Sequence, residues 1–254
     1  MTLRLFLDLD GTVYLGGKII DTVDVELRRI AASGAAIYYM TNNTSLSSGE
    51  YSRKLGKLGL PLAEGSIISP TVVLCDWMRA QRIRSVFAVG TEAFCSELEA
   101  RAGVTVTDLQ PDCVVVAFDK EVTYAKLETA CGLINAGTPW YLTHIDLACP
   151  SPLGPIPDCG AIGRLIEATT GSAPAGHFGK PGDLMLDFLR SQISTDDQTI
   201  VAGDRLYTDA EVGLRLGART VVVCTGEFRP GNAKIDSRIE IHDTLAAFLR
   251  LQVE

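Results

Sequence analysis

At 254 residues the chain is long enough for one large domain, or for a core that carries an inserted second one. A formal net charge of −8 argues against a surface built for a polyanion, because affinity for a phosphate backbone comes from Lys and Arg; a nucleic acid polymer is therefore excluded as the expected partner. No stretch approaches the roughly 18 apolar residues that would suggest a membrane span. The seven cysteines are odd in number and form no Cys-x-x-Cys pair, and no leader pattern opens the sequence, so a reducing, cytoplasmic setting is expected.

Residues 4–9 read as a short buried strand that stops where Asp8, Asp10 and Gly11 bring charge and a turn. Side chains alternate along a strand, so the two carboxylates start on the same side. Such a pair on a tight turn offers hard oxygen ligands that suit Mg²⁺, although the same residues also make an ordinary solvated turn. Residues 13–20 then read as a small hairpin around Gly16-Gly17. Asp21 is expected to cap a helix that ends at Gly34, and residues 36–40 form the next strand, ending in Thr41-Asn42-Asn43-Thr44-Ser45. Ser47 to Glu50 has capping-box spacing and opens a helix with Tyr51, Leu55 and Leu58 on one stripe. Residues 65–69 give a third strand, and Pro70 opens a helix reaching Gln81. Strand and helix alternate, which predicts a parallel sheet with helical crossovers.

From Ile83 the rhythm changes. Strands are expected over 85–89, 104–107, 113–118 and 140–143, with helices over 93–102 and 124–135. A segment rich in Pro and Gly, 150–160, leads into a helix over 161–170. This second, smaller α/β unit is placed at 83–175, between core segments 1–82 and 176–254. The core resumes with a helix over 183–193, carrying Leu184, Phe188 and Leu189 on one face. A strand over 199–202 then ends in Gly203-Asp204, with Asp209 just beyond, and a helix over 210–216 leads to a fifth strand over 220–224. Gly179-Lys180 is no P-loop, because Pro181 stands where Ser or Thr is required.

Three strands thus end in polar groups, and strand C-termini in an open parallel sheet form one ligand-binding edge. The motifs Asp8-x-Asp10-Gly11-Thr12, Thr41-Asn42-Asn43, Lys180-Pro181 and Gly203-Asp204-(x)4-Asp209 follow the order found in the haloacid dehalogenase-like (HAD) phosphatases. The chain resembles that superfamily along its length, and its insert resembles the larger cap type of the p-nitrophenylphosphatase (NagD-like) group. That group includes nucleotide, sugar-phosphate and pyridoxal-phosphate phosphatases.

The resemblance implies a Rossmann-like parallel-sheet α/β core with an inserted smaller α/β cap, and a Mg²⁺-dependent phosphomonoesterase acting on a small phosphate ester. It implies Asp8 as the nucleophile that forms an aspartyl-phosphate and Asp10 as general acid and base. The metal ligands carried over are Asp8, the Asp10 carbonyl and Asp204, with Asp209 behind them; Thr41, Asn42 and Lys180 would hold the phosphoryl oxygens. In the cap, Thr143-His144-Ile145-Asp146 stands where relatives often have Thr-Asn-x-Asp, which makes His144 and Asp146 substrate-specificity candidates and His144 a departure from the pattern. A cap-mediated homodimer is compatible with the resemblance. The alternatives are a phosphotransferase on the same scaffold, or a receiver-like phospho-accepting module, for which the insert and Asp10 have no task.

Overall fold

The computed structural model describes residues 2–44, 46–149, 153–231 and 235–252. Ser45 of the polar strand end and Pro150 to Pro152 of the Pro- and Gly-rich segment lie outside the described residues. The chain begins with β1 (Leu3–Asp8), the short pair β2 (Tyr14–Leu15) and β3 (Lys18–Ile19), α1 (Val23–Ala32) and β4 (Ala36–Met40). It continues through α2 (Ser48–Lys57), β5 (Ile67–Ile68) and α3 (Pro70–Ala80). The middle supplies β6 (Ser85–Val89), α4 (Glu92–Ala102), β7 (Thr105–Val106), β8 (Cys113–Val116), α5 (Tyr124–Asn135) and β9 (Trp140–Leu142). A small hairpin, β10 (Ala148–Cys149) with β11 (Ile156–Pro157), precedes α6 (Cys159–Thr170) and β12 (Gly176–His177). The last segment holds α7 (Asp183–Ser191), β13 (Gln198–Gly203), a π-helical turn over Leu206–Ala210, α8 (Glu211–Leu216), β14 (Arg219–Val223), β15 (Ile239–His242) and α9 (Leu245–Arg250).

These elements gather into two compact units, one of Met1–Thr41, Ser48–Ile68 and Leu186–Glu254, the other of Asn42–Ser47 and Ser69–Met185. The first contains a six-stranded, wholly parallel sheet in the order β15-β14-β13-β1-β4-β5. Its central strand reads Leu5-Phe6-Leu7, each fully buried, as expected of a strand covered on both faces. Phe6 lies in register with Val201 on one side and Tyr38 on the other. The turn between β2 and β3 uses Gly16 and Gly17 at φ +57° and +79°, the left-handed pair that a two-residue hairpin needs.

Two expectations change here. Asp21 does not cap α1: the cap position is Thr22, and Asp21 sits at φ +53° with its carboxylate accepting from Thr244 Oγ1 and from Arg250 at 3.3 Å. The sheet also has a sixth strand, β15, whose Ile-Glu-Ile-His sequence is half exposed at the sheet edge, followed by α9. On α7 the buried residues are Met185, Leu186 and Leu189; Leu184 and Phe188 are only partly covered.

The second unit holds a five-stranded parallel sheet in the order β12-β9-β8-β6-β7. Its core includes Val114, Val116, Trp140, Ile134 and Ile166, with Cys159 at the start of α6. Asp158 caps that helix by accepting from the Cys159 N–H at 2.7 Å. All seven cysteines are free, and burial pushes the thiols of Cys75 and Cys113 up to about 12, which leaves them as inert small apolar groups. Among the described residues, no helix is long and apolar enough to cross a membrane.

Candidate active site

In the first unit, β1 and β13 lie side by side and both run out of apolar residues at the same sheet edge. Asp8 ends β1, Asp204 follows β13, and Asp209 sits in the π-helical turn after it. Carboxylate oxygens of these three residues all lie within 4.8 Å of one another, and the residues are 9%, 3% and 1% exposed. The wide turn explains how Asp209 comes back to the strand: the N–H groups of Asp209 and Ala210 both reach the Arg205 carbonyl at 3.1 Å, while the Arg205 N–H donates to Asp209 Oδ2 at 3.1 Å.

Backbone without side chains makes room for this packing. A Cβ on Gly203 would overlap the Asp209 carboxylate, and one on Gly226 would overlap that of Asp204. The loop after β14 closes over the cluster: Glu227 N–H donates to Asp204 Oδ2, Phe228 N–H to the Asp204 carbonyl at 2.9 Å, and Thr225 Oγ1 to the Gly11 carbonyl at 2.6 Å. Thr12, fully buried, donates to Asp8 Oδ2 at 3.4 Å. Arg205 pairs with Glu227 at 3.1 Å. Burial opposes its charge, but Tyr207, Glu227, Asp204 and Asp8 outweigh that and hold it above its usual value.

Asp10 is exposed, and its carboxylate is directed to Tyr14, whose O–H donates to Asp10 Oδ2 at 3.2 Å. Thr41, 3% exposed, directly follows β4, and its N–H donates to the Ile68 carbonyl at 3.0 Å. Asn42, His144, Asp146 and Lys180 belong to the second unit and come together there. The Asn42 amide grips the Lys180 backbone on both sides, accepting from its N–H at 2.8 Å and donating to its carbonyl at 3.1 Å, and reaches Asp146 Oδ2 at 3.4 Å. His144 is 1% exposed and lies between two carboxylates, Nδ1 at 3.5 Å from Asp146 and Nε2 at 3.4 Å from Asp158. Asp158 is held above the usual carboxylate range by burial, which His144 partly opposes.

Sequence reasoning passed over Gly226, Thr225 and Lys54, and gave no role to Arg205 or Tyr14. The residues between Gly203 and Asp209 were in view as a motif, but nothing marks Gly226 or Lys54 except folding.

A family model for haloacid dehalogenase-like hydrolases matches residues 5–104, and a second HAD-hydrolase-like model matches 177–247. The crystal structure of a 4-nitrophenylphosphatase from Thermotoga maritima superposes with a TM-score of 0.89 at 31% identity, covering 98% of this chain and 97% of that one. The chain belongs to the haloacid dehalogenase-like hydrolases. Two of its relatives within that family are phosphatases by name. A 5'-nucleotidase, YutF, of Bacillus subtilis is 28% identical over 87% of this chain and 86% of its own length, and a dihydroxyacetone phosphatase of Corynebacterium glutamicum is 29% identical over 86% and 80%. As a HAD-like phosphatase the protein is an enzyme, which removes the receiver-like alternative. Three buried carboxylates of like charge within 4.8 Å form a donor set that suits a hard divalent cation, so the residues present fit the metal the family uses.

Proposed function

We propose that the protein is a Mg²⁺-dependent phosphomonoesterase for small phosphorylated metabolites of the sugar phosphate, nucleotide or pyridoxal phosphate type, with residues 83–175 as its cap. The observation that carries this reading is the convergence of Asp8, Asp204 and Asp209 at the end of the first sheet. Asp8, Asp204 and the Asp10 carbonyl would hold the cation, with Asp209 supporting them. When bound, the ion neutralises negative charge on the ester so that an anionic nucleophile can approach. Asp8 attacks phosphorus, and its carboxylate oxygen forms a bond as the bond to the leaving oxygen breaks. Asp10 gives its proton to that oxygen, and the resulting carboxylate then takes a proton from the water that hydrolyses the aspartyl-phosphate. Thr12 orients Asp8 through their hydrogen bond. Thr41, the Asn42 N–H and Lys180 would hold the phosphoryl oxygens, with the Asn42 side chain fixing the Lys180 backbone.

The test is release of phosphate from a panel of esters with and without Mg²⁺, together with Asp8→Asn. The variant is expected to lose at least about 10³-fold in kcat on p-nitrophenyl phosphate while remaining folded. Wild-type turnover by Asp8→Asn, in a preparation free of other phosphatases, overturns the mechanism.

A further inference from the structure

Asp10 is held from behind by two residues of its own unit. Tyr14 is fully buried and donates its phenol hydrogen to Asp10 Oδ2 at 3.2 Å. Lys54 of α2 donates Nζ to the same phenol oxygen at 2.8 Å and lies 4.0 Å from the centroid of the Tyr14 ring. An ammonium has donors only, so the phenol oxygen must accept from it, and its single hydrogen is left for Asp10. The chain of hydrogen bonds therefore has one direction, from Lys54 through Tyr14 to Asp10.

The backbone couples the same residues. Gly11 N–H donates to the Tyr14 carbonyl at 2.8 Å, and the N–H groups of Thr12, Val13 and Tyr14 converge on the Leu9 carbonyl at 3.3, 2.9 and 3.1 Å. Asp10 and Tyr14 are thus the two ends of one tight loop, and the phenol closes it on the side-chain level. A carboxylic acid has one O–H and one carbonyl oxygen. With Tyr14 donating to Oδ2, an Asp10 that acts as general acid would carry its proton on the other oxygen, Oδ1.

We propose that Tyr14 and Lys54 are positioning residues that fix the Asp10 carboxyl group and aim its Oδ1 at the leaving oxygen of the ester. This rests on the reading of Asp10 as general acid. In that step the Oδ1–H bond breaks as the ester P–O bond breaks and the Asp8–phosphorus bond forms; the products are a neutral alcohol, an Asp10 carboxylate and the aspartyl-phosphate. The need for this proton grows with the basicity of the leaving oxygen. A misaimed acid is therefore felt most by the worst leaving group, whereas loosened packing is felt equally by all.

The experiment measures kcat/KM, which covers every step through the first P–O cleavage, for the full-length protein with p-nitrophenyl, phenyl and benzyl phosphate in saturating Mg²⁺. These esters are similar in shape and differ in leaving-group basicity. Tyr14→Phe and Lys54→Met are expected to lose about tenfold or more on benzyl phosphate and less than about threefold on p-nitrophenyl phosphate, with Lys54→Arg recovering part of the loss. A uniform loss across the three esters in both variants overturns the proposal, since it reduces the pair to hairpin packing. Asp10→Asn separates the two levels of the argument. If it shows the steep leaving-group dependence and Tyr14→Phe and Lys54→Met do not, the positioning role alone is overturned; if it shows none, the general-acid reading falls and the positioning role with it.

Discussion

The two units each bury a polar cluster, and they build it on opposite principles. In the first, Asp8, Asp204 and Asp209 collect charge of one sign, wedged against the backbone of Gly203 and Gly226, with Arg205 offsetting part of it. In the second, the Asn42 amide alternates acceptor and donor between the Lys180 backbone and the Asp146 carboxylate, and the His144 imidazole stands between Asp146 and Asp158. Close like charges are costly at low dielectric and are eased by a bound cation. An amide that accepts from and donates to one backbone segment holds that segment without any added ligand. The contrast separates carboxylates gathered as a cation would need them from an amide that fixes a backbone segment, and each side of it can be broken by a single change.

The largest effect is expected at Gly226. Its Cβ would occupy the space of the Asp204 carboxylate, so Gly226→Ala has to displace that carboxylate without removing any charge. If the proposed cation is Mg²⁺, then at about a hundred times its dissociation constant it should add ~2.7 kcal/mol, or about 5–10 °C in Tm for a chain of this size. Gly226→Ala should lose that Mg²⁺-dependent rise and about 10²-fold in kcat, because small misplacements are magnified in phosphoryl transfer. Thermal unfolding with Mg²⁺ and with a chelator reads the result; an undiminished Mg²⁺ shift would mean that Asp204 does not need its glycine neighbour.

The same comparison explains what can be read directly from the residue order. The acidic cluster announces itself because Asp8 and Asp204 each interrupt an apolar strand, and a parallel sheet then delivers both to one edge. The sheet itself is legible for the same reason: Leu5-Phe6-Leu7 and Ile200-Val201-Ala202 are buried on both faces and read as continuous apolar runs. At the edge, β15 alternates its isoleucines with Glu240 and His242, so it carries no such run, and Asp21 resembles a cap until Thr244 and Arg250 claim it. Tyr14 and Lys54 are far apart in the chain and meet only when α2 folds against the hairpin. His144 shows the opposite limit. Its burial between two carboxylates is a property of packing that residue order does not contain.

A smaller effect is expected where the second cluster is cut. Asn42→Ala leaves the Lys180 N–H and carbonyl without the partners seen at 2.8 and 3.1 Å, a loss of about 1–3 kcal/mol in urea unfolding. Asn42→Asp keeps the acceptor but removes the donor and sets a second carboxylate beside Asp146, so its loss should be larger, and it should shrink as ionic strength rises. If Asn42→Asp were as stable as the native protein, the alternation of donors and acceptors would not be what holds this loop.

The smallest effect concerns pH. Burial holds the His177 imidazole below its ordinary value of 6.5; a backbone hydrogen bond with Gly179 and the carboxylates of Asp183 and Asp146 oppose this, while His144 adds to it. The unfolded chain therefore binds this proton more tightly than the folded one. Stability should rise with pH across the interval below 6.5 and be lost as pH falls through the folded value. Other groups titrate in the same range, so the informative quantity is a difference. His177→Gln should flatten the fall in stability between about pH 7 and pH 5 relative to the native protein, because glutamine carries no proton to gain. A steeper fall in the variant would mean that protonated His177 is stabilised by Asp183 and Asp146.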